Sequence, residues 1–352
     1  MIYDLKSIKK ADIYRKKVFL RADLDVPIEN GRIVDDTRLQ ALLPTLEYLI
    51  KNDVQVYLAG HLGRPRPILN ENEFSLEPVA EWLIKQFNFH EGLTPFDLDG
   101  LKGFTMTSGV SLLENLRFHK EEEENDSEFS KKLASLADIY INDAFASSHR
   151  AHASIVGITK YLPSYAGLRL EKEVEELSKV IENPKRPLVV IIGGAKIETK
   201  LPLVEKMHAF ADYVLVGGEI AENDKVLLKV QHEKNVGRRS ILLVADLTED
   251  NKDITVKSAE NFLQVCQTAG AIVWNGPMGQ VEDEKYQVAT EILAEGISKL
   301  SAYTIVGGGD TLSFLKQKHL LDKFSFASMG GGAMLEFLAG EKLPGLKVLA
   351  VE

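Results

Sequence analysis

The stretch PLVVIIGGAK, residues 187–196, decides the fold. Its apolar core, 188–192, is too short for a helix and breaks on Gly193 and Gly194. A run of that length bounded by glycine reads as a strand buried on both faces, as in a parallel sheet. The glycine pair at its carboxyl end lets the backbone come close to a ligand.

The same pattern extends in both directions. Upstream the short apolar runs are 17–21 (KVFLR), 54–58 (VQVYL), 110–113 (VSLL) and 138–142 (DIYIN); downstream they are 213–216, 241–244, 271–274 and 303–306. Between the first two, Leu39, Leu42, Leu43, Leu46, Leu49 and Ile50 recur at helical spacing behind the capping candidates Asp36 and Thr37. A second stripe of Val79, Trp82, Leu83 and Phe87 follows Ser75. Strands alternating with helices predict parallel sheets covered on both faces, and 352 residues exceed one ordinary core. The expected fold is therefore α/β, with two doubly wound parallel-sheet (Rossmann-like) domains joined by a hinge helix. That helix carries Leu170, Val174, Leu177 and Ile181 on one stripe and stops before Pro184 and Pro187. The expected boundaries are 1–165 for the first domain, 166–184 for the linking helix and 185–340 for the second domain.

Composition bounds the function. A chain with 45% hydrophobic and 27% charged residues is ordinary globular protein, and a net charge of −10 argues against a general nucleic-acid binder. No run reaches the eighteen apolar residues of a spanning helix. The one cysteine, Cys266, cannot form an intrachain disulfide, and the opening MIYDLKSIKK has no apolar stretch of signal-peptide length. These features predict a soluble cytoplasmic protein. The acidic run from Glu121 to Glu124 reads as a solvated surface segment.

Ligands of open α/β sheets bind beyond the carboxyl ends of the strands. In the first half those positions are cationic: Arg21, His61 and Arg64 (HLGR), Arg117, then His149 and Arg150. Arginines arriving from four strands of an acidic protein predict an anion site, because the guanidinium fork can hold phosphate or carboxylate oxygens. Arg38 sits in the first turn of its helix, where the helix dipole disfavours a cation; such broken local rules tend to fall at functional sites, and an exposed arginine screened by Asp35 and Asp36 accounts for it equally well. In the second half the same positions carry glycine: 193–194, 217–218, 275–277 (NGP), 307–309 and 330–332. Five glycine loops in one lobe predict a nucleotide site, with Lys196, Lys200 and Asp310 available to a magnesium–phosphate chain. Neither a GxxxxGK[ST] loop nor a first-strand GxGxxG is present.

Nine ordered motifs, RADLDVP (21–27), DDTR (35–38), HLGRP (61–65), LLENLRF (112–118), HRAHAS (149–154), GGAK (193–196), WNGPMG (274–279), VGGGDT (306–311) and GGGA (330–333), resemble the phosphoglycerate kinase family. The resemblance implies a monomeric kinase that binds 3-phosphoglycerate through Asp23, Asp25, Arg38, His61, Arg64, Arg117 and Arg150, with Arg21 structural. It implies a nucleotide site at Gly193, Gly194, Lys196, Lys200, Gly218, Asn275, Pro277, Glu282, Gly308, Gly309, Asp310 and Thr311. Asp310 would position Mg2+, Glu282 would hold the ribose, and the tail 341–352 would return to the first domain. The partners implied are 3-phosphoglycerate or 1,3-bisphosphoglycerate and ATP or ADP, with no nucleic acid and no membrane.

Three departures from the family pattern stand out. Asp25 replaces an Asn and Met329 a Thr, and the chain is several dozen residues short, mostly between Ala221 and Asp253. The shortening predicts weakened selection of the base. The resemblance also implies chemistry without a general base, since the attacking carboxylate is already ionised; Arg38, Lys196 and Lys200 then act electrostatically, once the lobes close. Two rival readings are a hinged solute receptor, which would be exported, and a homologue that binds nucleotide but has weak or altered transfer activity.

Overall fold

The computed structural model describes residues 3–65, 73–194, 197–223 and 240–351, with the backbone alone for 197–203 and 223. It divides into two compact units, Glu175–Glu341 and Tyr3–Val174 with Lys342–Glu352. The division falls inside the helix Leu168–Glu182, which contributes to both.

The unit of Tyr3–Val174 is built on a seven-stranded sheet. Its strands are β1 (Lys17–Arg21), β4 (Gln55–Ala59), β5 (Thr94–Leu98), β6 (Leu101–Thr107), β7 (Val110–Leu113), β8 (Ile139–Asn142) and β9 (Ser164–Ala166), in the order β5-β6-β7-β4-β1-β8-β9. A small hairpin of β2 (Ile28–Glu29) and β3 (Arg32–Ile33) lies outside it. The segment β7-β4-β1-β8-β9 is parallel, so its strands end at one edge. All four residues of β8 are buried, as are the last four of β1, because helices cover both faces.

Two antiparallel pairings, β5 with β6 and β6 with β7, break the all-parallel expectation. Asp99-Gly100 joins β5 to β6 with both residues at positive φ (56° and 82°), as a two-residue hairpin turn requires. The Asn30-Gly31 turn between β2 and β3 is built the same way.

The unit of Glu175–Glu341 has a six-stranded, wholly parallel sheet: β10 (Leu188–Ile192), β11 (Tyr213–Val216), β12 (Ile241–Val244), β13 (Ala271–Asn275), β14 (Tyr303–Gly307) and β15 (Phe326–Ser328), ordered β12-β11-β10-β13-β14-β15. Strands β10 and β13 are buried at every position. No helix among the described residues is long and apolar enough to cross a membrane.

The helix Leu168–Glu182 starts on a buried carboxylate. Asp143, just past β8, accepts from Arg169 N (2.9 Å) and Leu170 N (3.1 Å), and Leu168 N donates to Thr45 Oγ1 (3.1 Å). Gly167 permits the approach, since a Cβ there would stand 2.2 Å from Asp143 Oδ1. Burial raises the Asp143 carboxyl to about 6, against the two amides and the nearby Thr45 and Arg169 that favour its charge. Asp143→Ala should lower stability by about 1–2 kcal/mol, the usual cost of a lost N-terminal cap, read as a lower urea midpoint; Asp143→Asn, which keeps an acceptor, should lose less.

Candidate functional site

In the first unit the cations gather where β7, β4, β1 and β8 end side by side. Arg21 closes β1 and is 1% exposed. Its Nε donates to Ser154 Oγ (2.9 Å), its Nη1 to Ala22 O, and its Nη2 meets His61 Nδ1 at 3.0 Å. A guanidinium can only donate, so His61 Nδ1 accepts and the ring carries its proton on Nε2. That nitrogen is 3.8 Å from Asp25 Oδ2. Burial and the charges of Arg21, Arg117, Arg150 and Arg38 hold His61 well below its ordinary value, so it is a neutral donor.

Asp25 is tied down by Gly63 N (2.8 Å) and lies 3.9 Å from Arg38 Nη1. Its charge therefore has a cation and a buried donor beside it. Asp23 is buried and accepts from Ala146 N (2.9 Å) and Ser147 Oγ (3.3 Å), pinning the loop that leads to Arg150. Burial raises its carboxyl, while Arg38 and Arg21 oppose the rise. Arg117 donates Nη1 to Gly63 O, and its Nε stands 3.2 Å from Glu123 Oε1. Its Nε and Nη2 are nevertheless buried without a hydrogen bond. Arg150 Nε donates to His149 Nε2 (3.3 Å), and Arg64 is exposed.

The acidic run is solvated as its composition suggests at Glu123 and Glu124, but not at Glu122. Glu122 is 1% exposed and accepts from Ser154 N (2.9 Å) and Ser154 Oγ. Glu123 pairs with Arg117. The cause is the cationic edge itself: Ser154 is shared by Glu122 and Arg21, so one buried carboxylate balances the most buried guanidinium.

In the second unit, loops 193–194, 217–218, 275–277, 307–309 and 330–331 follow adjacent parallel strands. Gly193 N and Gly194 N donate to Asn275 O (2.9 Å) and Pro277 O (2.8 Å). A Cβ on Gly193 would stand 2.2 Å from Pro277 O, so only glycine lets these loops pack. Gly308, at φ 95°, opens the helix Gly309–Gln317. Asp310 lies in its first turn, and the buried Thr311 Oγ1 makes no hydrogen bond. Asn275 is buried beneath the loops, its Nδ2 donating to Gly331 O (3.3 Å).

A cavity of about 270 Å³ brings together Gly194, Gly218, Pro277, Glu282 and Asp310. Four further residues line it: Gly279, which closes the WNGPMG motif, and Glu219, Lys252 and Gln280, which lie outside the motifs. Lys196 and the Lys200 side chain lie outside the described residues, as does 224–239 of the shortened segment. Among the described residues no three His, Cys, Asp or Glu side chains form a metal site. A lone Asp310 fits Mg2+, which takes one or two protein carboxylates and completes its shell from phosphates and water.

A cationic edge on one α/β unit and glycine loops on the other mark a two-domain protein built to handle phosphorylated ligands. The sequence profile described as Phosphoglycerate kinase matches residues 8–249 and 223–341. The phosphoglycerate kinase of Coprothermobacter proteolyticus is 37% identical over 391 aligned positions, covering 99% of both chains. The cytosolic enzyme of Triticum aestivum is 37% identical, covering 97% of both. The solved structure of phosphoglycerate kinase from Coxiella burnetii superposes with a TM-score of 0.80 at 37% identity, covering 98% of this chain and 99% of that one. This chain belongs to the phosphoglycerate kinase family.

His149 and His152, both partly buried, predict a pH dependence. His149 is held at about 4 and His152 at about 3, first by burial and then by the arginines, which outweigh Glu122 only 3.8 Å from His152. Unfolded histidine takes its proton near 6.5, so below that value the unfolded chain binds protons that the folded chain refuses. Each ring thus costs up to about 1.4 kcal/mol per pH unit as pH falls from 6.5. Asp143 and Asp253, raised to about 6, work in the opposite sense. Denaturation between pH 7 and 5 should therefore show a shallower loss for His152→Asn than for the unsubstituted chain, and an equal loss would contradict the assignment.

Proposed function

We propose that this phosphoglycerate kinase transfers a phosphoryl group reversibly between 1,3-bisphosphoglycerate and ADP, giving 3-phosphoglycerate and ATP, with 3-phosphoglycerate on the Tyr3–Val174 unit and the magnesium nucleotide on the Glu175–Glu341 unit. The observation that carries the reading is Arg117, whose buried Nη2 has no hydrogen bond and whose Nε meets only the Glu123 carboxylate, at 3.2 Å, while four arginines share one edge. Unmatched donors in a concentration of positive charge fit an anion with several oxygens.

Arg117, Arg150, Arg64 and the neutral His61 Nε2–H would bind the phosphate and carboxylate of the acceptor, and Asp23 and Asp25 its hydroxyl. The acceptor carboxylate is ionised at neutral pH and needs no base, so the task is alignment and charge neutralisation. Arg38, Lys196 and Lys200 would neutralise the transferring oxygens, with the amides of Gly194, Gly218, Gly308 and Gly309 around the nucleotide. Magnesium would supply charge neutralisation on the nucleotide phosphates, held by Asp310. The helix Leu168–Glu182, shared by both units, is the assigned hinge. A monomer in the cytoplasm suits the single cysteine, whose buried thiol is pushed up to about 12 and is unreactive.

A coupled assay of ATP-dependent 1,3-bisphosphoglycerate formation tests the reading; folded protein without turnover would overturn it. In the same assay Arg38→Ala and Lys200→Ala should each lower kcat by ~10²–10³-fold with unchanged circular dichroism, the loss typical of a preorganised electrostatic group. Near-normal kcat in either variant removes that residue from its role.

A further inference from the structure

Behind the His61 ring runs a buried chain of hydrogen bonds that begins at Glu122. Both oxygens of Glu122 accept from Ser154, Oε1 from the hydroxyl (2.5 Å) and Oε2 from the backbone N–H (2.9 Å). Ser154 is itself fully buried, and its carbonyl accepts from Tyr140 OH (2.7 Å). From the Ser154 hydroxyl the chain passes to Arg21 Nε (2.9 Å), and from Arg21 Nη2 to His61 Nδ1 (3.0 Å).

Every proton in the chain has one direction. A guanidinium only donates, so the Ser154 hydroxyl must accept from Arg21 and turn its single proton to Glu122. Glu122 accepts at both oxygens, as an ionised carboxylate does. Burial draws its carboxyl toward the neutral acid, while the Arg21 charge and the two Ser154 bonds oppose the rise. With Nε held by Ser154 and Nη1 by Ala22 O, the guanidinium plane is fixed and Nη2 is aimed at His61 Nδ1. The ring proton then sits on Nε2, 3.8 Å from an Asp25 oxygen that also lies 3.9 Å from Arg38 Nη1.

We propose that Glu122 and Ser154 are positioning residues of the acceptor site, holding Arg21 where it keeps the His61 proton on Nε2 and so setting the affinity for the phosphorylated acid. The inference rests on the assignment of 3-phosphoglycerate to this edge. In the other tautomer Nε2 would be a bare acceptor, turning a lone pair toward Asp25 and toward an anion bound beside it. Without the Ser154 hydroxyl between them, the buried Arg21 and Glu122 charges would be drawn into direct contact, which takes Nη2 away from His61. Both residues act through Arg21 and neither is among the groups assigned to the transferring oxygens. Their effect therefore belongs to acceptor binding and not to the transfer step.

Nitrogen NMR of the His61 ring in the full chain, beside calorimetry with 3-phosphoglycerate and with MgADP, tests this. In the unsubstituted chain the ring proton should reside on Nε2. Ser154→Ala should mix the two tautomers and weaken 3-phosphoglycerate binding by roughly tenfold, the loss expected for one hydrogen bond to a charged ligand, with MgADP binding unchanged. In steady state the KM for 3-phosphoglycerate should rise by the same factor, with kcat held within about twofold. Glu122→Gln, which returns no second acceptor to Ser154, should act in the same direction. A ring proton on Nδ1 in the unsubstituted chain overturns the inference and needs no variant to fold. Ser154→Ala with tautomer and affinity unchanged overturns it too, as does a loss that falls on kcat or equally on MgADP. Failure of the unsubstituted chain to bind 3-phosphoglycerate sinks the acceptor assignment and the inference together, whereas binding without transfer sinks only the proposed reaction.

Discussion

The buried Arg21 guanidinium is the constraint on which the first unit depends. It lies at the end of a central strand, almost without solvent, and is bonded to the Ser154 hydroxyl and the His61 ring. A cation so placed is tolerable only with a counter-charge, and Glu122 supplies it through the same serine. Removing either partner would leave the other buried and uncompensated, which costs several kcal/mol. Arg21 also fixes two things that matter to ligands: it sets the His61 tautomer, and its charge adds to the potential that keeps His61 neutral.

Around this pair the edge is crowded with like charge. Arg38, Arg117 and Arg150 all act on His61, and burial lowers Arg117 from its ordinary value, with Arg150 adding to the effect. Asp23, Asp25 and Glu123 relieve part of the repulsion by bonding loop amides or arginines rather than solvent. The net result is a surface short of negative charge in a protein that has a large excess of it. The second unit reaches phosphate recognition by the opposite means. Its loops carry almost no side chains, so the parallel sheet can bring five loop backbones against one another, as Gly193 against Pro277 O illustrates.

Much of this was legible in the chain. The strands of the second unit were readable to within a residue, apart from Phe326–Ser328, because each is a compact run of mostly apolar residues; Leu188–Ile192 and Ala271–Asn275, at the centre of the sheet, are buried at every position. The hairpin of Thr94–Leu98 and Leu101–Thr107 was not, since its outer strand is largely exposed and has no apolar run; the Asp99-Gly100 pair was the signal that could have found it. Glu122 was misread for a related reason. Four adjacent glutamates look alike in composition, and only packing against Ser154 separates the buried one from its neighbours. Lys252 stands in the shortened part of the chain and Glu219 just ahead of it, both outside every motif.

The sequence by itself determined where strands and helices form, which strand ends carry arginine and which carry glycine, and the family to which those motifs belong. These are local properties, set by the spacing of apolar residues and by the chemistry of single side chains. Only the tertiary structure decided the strand order, the neutrality of His61, the burial of Glu122 and the meeting of Lys252 with Glu219 across Gln280. Each of those depends on desolvation and on charges or hydrogen bonds contributed by residues far apart in the chain, and such quantities exist only once the chain has folded.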